Sequence, residues 1–187
     1  GRFKRNLSFR NNIFEISSCG IFELFPTDRG YLRRNFVNPY AVLGISLFHH
    51  NPQTKTPIVK GSTSEWIDLQ PLGTEGQYTG VVGTPKPYSL WQIGVPLGGG
   101  VRYRLMDKWD LSLEFCYRFV FTDYLDDVST TYIPLDKLSQ ETAALSFRQQ
   151  GVNFALRVGE RRGDKKDRDV YYYNVIKLSK FINYRSL

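Results

Sequence analysis

The residue types that could carry chemistry are few and their spacing is telling. His49 and His50 are the only histidines, and they are adjacent. Neighbours on a strand point to opposite faces, so the two make a poor metal pair and read as a polar pair at a strand end. Asp123, Asp126 and Asp127 bring carboxylates into one short stretch. They offer the oxygen ligands that a hard cation such as Ca2+ takes. The same carboxylates cap and order a loop by accepting from its N–H groups, and that is the role expected of them. Arg102, Glu114 and Arg118 place charge between apolar residues. They read as ion-paired packing inside a barrel, not as acid–base machinery. No serine, histidine and aspartate set has a spacing that implies a triad. The expectation is a protein that is not an enzyme and uses no cofactor or metal.

The elements that position these residues show themselves by alternation. From Trp91 the odd positions run Trp91, Ile93, Val95, Leu97, Gly99, Val101, Tyr103 and Leu105. The pattern resumes after a polar turn with Leu111, Leu113, Phe115, Tyr117, Phe119 and Phe121. The intervening set includes Arg102, Arg104, Ser112, Glu114, Cys116 and Arg118. A period of two through both segments predicts a hairpin over Ser89–Asp123 with one greasy, aromatic face and one polar face. Strands this long cross a bilayer at a tilt, so the apolar set is expected to face lipid. In the expected register Leu105 faces Leu111 around an Asp107-Lys108-Trp109 turn. Arg102 then faces Glu114 as a cross-strand ion pair, and Tyr117 covers Gly99. The glycines at 94, 98, 99 and 100, with Pro96, suit a strongly bent strand.

Composition agrees with this class. The 187 residues are expected to form a single domain, with 15% aromatic residues and a formal charge of +7. No run of 18 apolar residues exists, which excludes a membrane-spanning helix but not a barrel, whose hydrophobicity is hidden in alternate positions. Arg161, Arg162, Lys165, Lys166 and Arg168 cluster, but Asp164, Asp167 and Asp169 interrupt them. The stretch reads as a solvated loop, and no nucleic-acid partner is expected. Cys19 and Cys116 are too few for a disulfide scaffold, and Cys116 reads as a small filler.

In chain order, strands are expected at Leu7–Leu24, Pro39–His50, on both sides of the hairpin, and at Val170–Ile182. Asn51–Tyr88 is expected to be a long loop, Leu135–Gln149 a short amphipathic helix, and Phe154–Val158 a strand stub. The connections alternate short and long, as in bacterial outer-membrane barrels with short periplasmic turns and long external loops. Five strands make an odd count. At least one further strand is therefore expected before Gly1, and three would give eight. The fold expectation is all-β: an antiparallel up-and-down transmembrane β-barrel, eight-stranded when complete, with long extracellular loops and one loop helix.

Longer stretches point to a family. They are Arg5-Asn6-Leu7-Ser8-Phe9 with Glu15, Pro39-Tyr40 with Gly44 and His50-Asn51-Pro52, and the run Leu69–Gln77. More specific are Ile93–Val101 and Thr122–Ser129, joined by Arg162-Gly163 with Asp169 and the tyrosines at 171–173. Together they resemble the PorG-like outer-membrane barrels of Bacteroidota, across nearly the whole chain. The terminal aromatic of many outer-membrane proteins is replaced by Leu187. The resemblance implies a non-catalytic subunit of the type IX secretion system in the bacterial outer membrane. It implies as partners the periplasmic ring proteins, a PorK/GldK-type lipoprotein and a PorN/GldN-type protein. The expected partner contacts are the short turns, with Arg29, Arg33, Arg34, Asp107, Lys108 and Trp109 exposed. Two alternatives are a small barrel for passive transport or ligand binding, and a soluble lipocalin-like binder.

Overall fold

A computed structural model of the chain describes residues 6–25, 31–56, 63–149, 153–166 and 168–182. The strands are β1 (Arg10–Glu23), β2 (Val37–Lys55), β3 (Trp66–Asp68), β4 (Trp91–Met106), β5 (Trp109–Val120) and β6 (Val170–Lys180), all but β3 lying where alternating sequence predicts extended backbone. One α-helix, α1 (Gln140–Ser146), lies in the long connection before β6. The strands form one sheet in the order β1-β2-β4-β5-β6, with β3 added on β2. The pairs β4/β5 and β5/β6 are antiparallel. The chain is an all-β, antiparallel protein. No helix among the described residues is long and apolar enough to cross a membrane.

The contacts group the chain into two compact units. A sheet unit comprises Ile16–Leu47, Ile93–Val120 and Val170–Leu187. A loop unit comprises Gly1–Glu15, Phe48–Gln92 and Phe121–Asp169.

The sheet unit is inverted relative to a soluble sheet. On β5 the buried side chains are Asp110, Ser112, Glu114, Cys116, Arg118 and Val120. On the other face Leu113 is 57% exposed, and Phe115, Tyr117 and Phe119 are exposed with it. On β4 the exposed set is Ile93, Leu97, Val101, Tyr103 and Leu105, with Val95 half-buried. Leu111 is half-buried on β5, while Trp91 and Phe121 are exposed at the strand ends within the loop unit. β2 and β6 follow suit, Ile45 being 69% and Ile176 75% exposed. Leaving water is worth about 1.5–3 kcal/mol for a side chain of this size. The outward face of β5 alone therefore leaves on the order of 10 kcal/mol unrealised in water.

The inward charges are partnered. Lys177 Nζ donates to Glu114 Oε2 at 2.6 Å, and Tyr40 Oη donates to the same oxygen at 3.0 Å. Arg102 pairs with Glu23. Arg118, 2% exposed, donates to the Tyr173 hydroxyl and, at 2.8 Å, to Cys116 Sγ. Both cysteines are free; Cys19 is exposed and Cys116 is buried.

The hairpin register corrects the sequence expectation by two residues. Arg102 faces Ser112, not Glu114, and Gly99 faces Phe115, not Tyr117. Asp107 and Lys108 alone make the turn, and Trp109 opens β5 opposite Met106. A register shift between Arg104 and Met106 accommodates the tighter turn. A shift of two preserves which face each residue occupies, so the side assignments are unaltered while the partners change. The ion pair expected between Arg102 and Glu114 is replaced by the two pairs above. The covered glycine is Gly100 on the inward face, where an added Cβ would lie 2.6 Å from the Tyr40 ring.

Three expectations in the long connections also change. β2 runs on to Lys55, and β3 pairs with its end, Gln53 facing Asp68 and Lys55 facing Trp66. The helix is only Gln140–Ser146, because Leu138 is extended (φ −103°, ψ 157°) and Ser139 is the true N-cap. Its side chain accepts from the Thr142 amide at 3.1 Å. Phe154–Leu156 is a 3-10 turn capped by Asn153, not a strand.

Candidate functional site

Two sites stand out, one in each unit. The first is a buried charge network in the loop unit, built from three separate stretches. Glu75 lies in a tight turn flanked by Gly73 (φ 62°) and Gly76 (φ 83°), positive angles that glycine adopts without strain. Its carboxylate is fully buried. It accepts from the Ser129 amide at 2.9 Å, the Thr130 amide at 3.0 Å and the Thr130 hydroxyl at 2.6 Å. Arg162 Nη1 donates to it at 3.0 Å, and the Tyr124 hydroxyl at 3.3 Å.

Asp127 is the second fully buried carboxylate. It accepts from the Thr74 hydroxyl at 2.5 Å and the Tyr88 hydroxyl at 2.8 Å. Arg162 Nη2 is 3.8 Å from its Oδ2, and Arg162 Nη1 donates to its backbone carbonyl at 2.5 Å. One guanidinium thus holds two carboxylates. Burial pushes the Asp127 carboxyl up to about 6, against the pull of Arg162, Thr74 and Tyr88. Burial, then the Asp127 charge, raises the Tyr88 phenol far above its ordinary value, and burial followed by Glu75 raises Tyr124. Both phenols therefore donate and do not ionise.

The surroundings fix this network in place. The Arg162 and Gly163 amides both donate to the Thr130 carbonyl, at 2.8 and 2.9 Å. Gly163 is needed there, since an added Cβ would sit 2.6 Å from the Ser129 backbone and the Val128 carbonyl. From α1, Ser146 Oγ donates to the Thr74 carbonyl at 2.7 Å and Thr142 Oγ1 to the Leu72 carbonyl at 3.3 Å. The Tyr88 and Tyr124 rings stack at 4.5 Å, and the His50 ring stacks on Tyr88 at 6.0 Å. Tyr132, Phe147 and Phe154 form an aromatic cluster with centroids 4.8–6.2 Å apart. The loop unit is a folded structure with its own apolar and ionic centre.

The aspartates predicted to order this loop have distinct places. Asp126 accepts from the Val128 amide at 3.0 Å, closing a local turn. Asp123 keeps one buried oxygen without a hydrogen-bond partner among the described residues. Burial pushes its carboxyl up to about 7, and the Asp169, Asp126 and Glu75 charges add to this while Ser129 opposes it. Among the described residues no group of three or more His, Cys, Asp and Glu side chains is arranged to hold a metal ion. Arg162 departs from expectation: it belongs to the buried network and not to a solvated loop. Arg161 is the solvated member, paired with Asp164 at 3.1 Å. The histidines separate across the strand, His50 fully buried and His49 against Trp91 with ring centroids 5.1 Å apart.

The second site is at the turn end of the sheet unit. Arg34 was expected to be exposed for a partner; it is 6% exposed. Its Nε donates to Asp110 Oδ1 at 2.8 Å. Its Nη1 donates to the Tyr31 and Asp107 carbonyls at 2.8 and 2.7 Å. Its Nη2 donates to the Met106 and Trp109 carbonyls at 3.0 and 3.1 Å. The guanidinium also lies 3.9 Å over the Tyr31 ring, and Tyr31 stacks on Phe181 at 4.3 Å. Arg34 therefore staples the Tyr31–Arg33 turn to the Asp107-Lys108 turn. Around it Arg33, Asp107 and Lys108 are exposed, and Trp109 is half-buried with Lys180 5.3 Å from its ring. Arg29 lies outside the described residues.

Comparison with known protein families, with curated proteins and with solved structures finds no match.

Proposed function

We propose that this chain is an outer-membrane β-barrel subunit of the type IX secretion machine, a structural and non-catalytic anchor for the periplasmic lipoprotein ring. The observation that carries the membrane part is the inverted sheet: charged and hydroxyl side chains buried on one face, with aromatic and branched apolar side chains exposed on the other. A soluble lipocalin-like sheet would put the apolar face inward; a lipid-facing barrel needs this arrangement. The secretion part rests on the PorG-like sequence resemblance. The stapled turns support it, because they present a half-buried Trp109 beside exposed Arg33 and Lys108, residue types that anchor interfaces. On this reading the short turns face the periplasm.

The test is a detergent pull-down from the outer membrane with the co-purifying proteins identified. The PorK/GldK-type and PorN/GldN-type ring proteins are expected to come with the wild-type chain. They should be lost when Asp107-Lys108 is replaced by Gly-Ser together with Arg33→Ser. Intact capture and intact secretion by that variant would refute the anchoring role.

A further inference from the structure

The loop-unit ends of β1 and β2, with β3, gather cations around a single indole. Arg10 Cζ lies 4.1 Å over the Trp66 ring, and Lys55 Nζ is 5.4 Å from the same ring. Arg10, Lys55 and Trp66 are all exposed. Arg10 Nε donates to Gln53 Oε1 at 2.8 Å, which orients the guanidinium through one edge. The nearby Asp68 carboxylate is engaged elsewhere, accepting from Gln53 Nε2 at 2.5 Å and Asn51 Nδ2 at 2.9 Å. A third cation, Arg148, donates to the Lys55 carbonyl. A second exposed carboxylate, Glu65, is next to Trp66 in sequence.

We infer that Arg10, Lys55 and Trp66 form a binding site for the phosphate of an anionic glycolipid in the outer leaflet, an inference that rests on the barrel reading above. A guanidinium and an ammonium over one indole supply a planar donor fork and a point charge, the pair that grips a phosphate. An indole belongs at headgroup depth. The site lies at the start of β1 and the end of β2, the side of the long connections, which is the outer side of a bacterial barrel. It is an open strand surface, where a dissolved phosphate stays hydrated and screened. A lipid phosphate is instead delivered by its acyl chains at high effective concentration.

The experiment places the full chain in phosphatidylcholine nanodiscs. It titrates in bisphosphorylated lipid A, the dephosphorylated glycolipid or inorganic phosphate, and reads retention by native mass spectrometry. The wild type is expected to retain the phosphorylated lipid selectively. The Arg10→Gln/Lys55→Gln double variant should retain it about thirtyfold less, two membrane-surface cations being lost. Glu65→Gln should retain it more tightly. Equal retention of both glycolipids, or no loss in the double variant, overturns the site. If heat-modifiable gel mobility persists in that case, the barrel reading stands without it. Displacement by inorganic phosphate at matching concentration overturns the lipid as the source of the anion. A chain without heat-modifiable mobility overturns the barrel and this site together.

Discussion

Replacing Arg162 by methionine removes a cation shared by two fully buried carboxylates, Glu75 and Asp127. Methionine fills much of the space, so the change isolates charge from volume. Glu75 keeps its donors from Ser129, Thr130 and Tyr124, and Asp127 keeps Thr74 and Tyr88. What is lost includes the neutralising charge and the bonds to the Glu75 carboxylate and the Asp127 carbonyl. Removing one partner of a buried pair costs about 3–5 kcal/mol. The segments that meet at Arg162 belong to the loop unit, so the cost appears first as local opening. Protease cleavage within residues 63–90 and 121–169 should rise by on the order of a hundredfold or more, since 1.4 kcal/mol is about tenfold. The assay is limited proteolysis of wild type and variant in detergent, with heat-modifiable mobility as a check that the strands remain assembled. Glu75→Gln should cost less, because Arg162 stays paired to Asp127. The double variant should cost less than the sum of the two single changes. A cleavage rate within a few-fold of wild type for Arg162→Met would refute the claim that this guanidinium holds the loops together.

Other outcomes follow from the same geometry. Asp123 holds its proton to about pH 7 when folded, against an ordinary 3.8, because of burial first and then Asp169, Asp126 and Glu75. The unfolded chain releases that proton earlier, so stability falls as pH rises between these values. Asp123→Asn should flatten the fall, as measured by denaturant unfolding across that range. A smaller slope ending near pH 6, of the same sign, should remain from Asp127. Arg34→Lys keeps the charge but offers three donors in place of five, so it should loosen the turns by about 2 kcal/mol or more, seen as faster hydrogen exchange at residues 107–110. Gly163→Ala should destabilise the loop unit by about 1–3 kcal/mol, since its Cβ would meet the backbone of Val128 and Ser129, and a lowered thermal midpoint would report this.

The period-two pattern made β4, β5 and β6 legible with their faces, because alternation depends only on neighbouring residues. The partners were less legible. Parity is shared by every register that differs by two, and the choice among them was made by the Asp107-Lys108 turn and the irregularity at 104–106. The long connections hid their order because their contacts are distant. Glu75 and Arg162 are 87 residues apart, and Thr74 and Asp127 are 53 apart. No local periodicity marks such pairs. Glu75 stood within a singled-out run and Arg162 within a charged one, but only three-dimensional proximity separates Arg162 from Arg161. The apolar spacing that begins at Leu135 overstates the helix, whose start the Ser139 cap sets.

The Arg34 staple also bears on how a partner would bind. A loose two-residue turn and its neighbours would have to surrender conformational freedom on docking, at about 1–2 kcal/mol for each backbone residue fixed. Here five guanidinium bonds have already removed that freedom before any encounter. A protein meeting Lys108 and Trp109 therefore meets a shape that folding has set in advance. Its affinity then depends on the contacts themselves and not on reordering the turn.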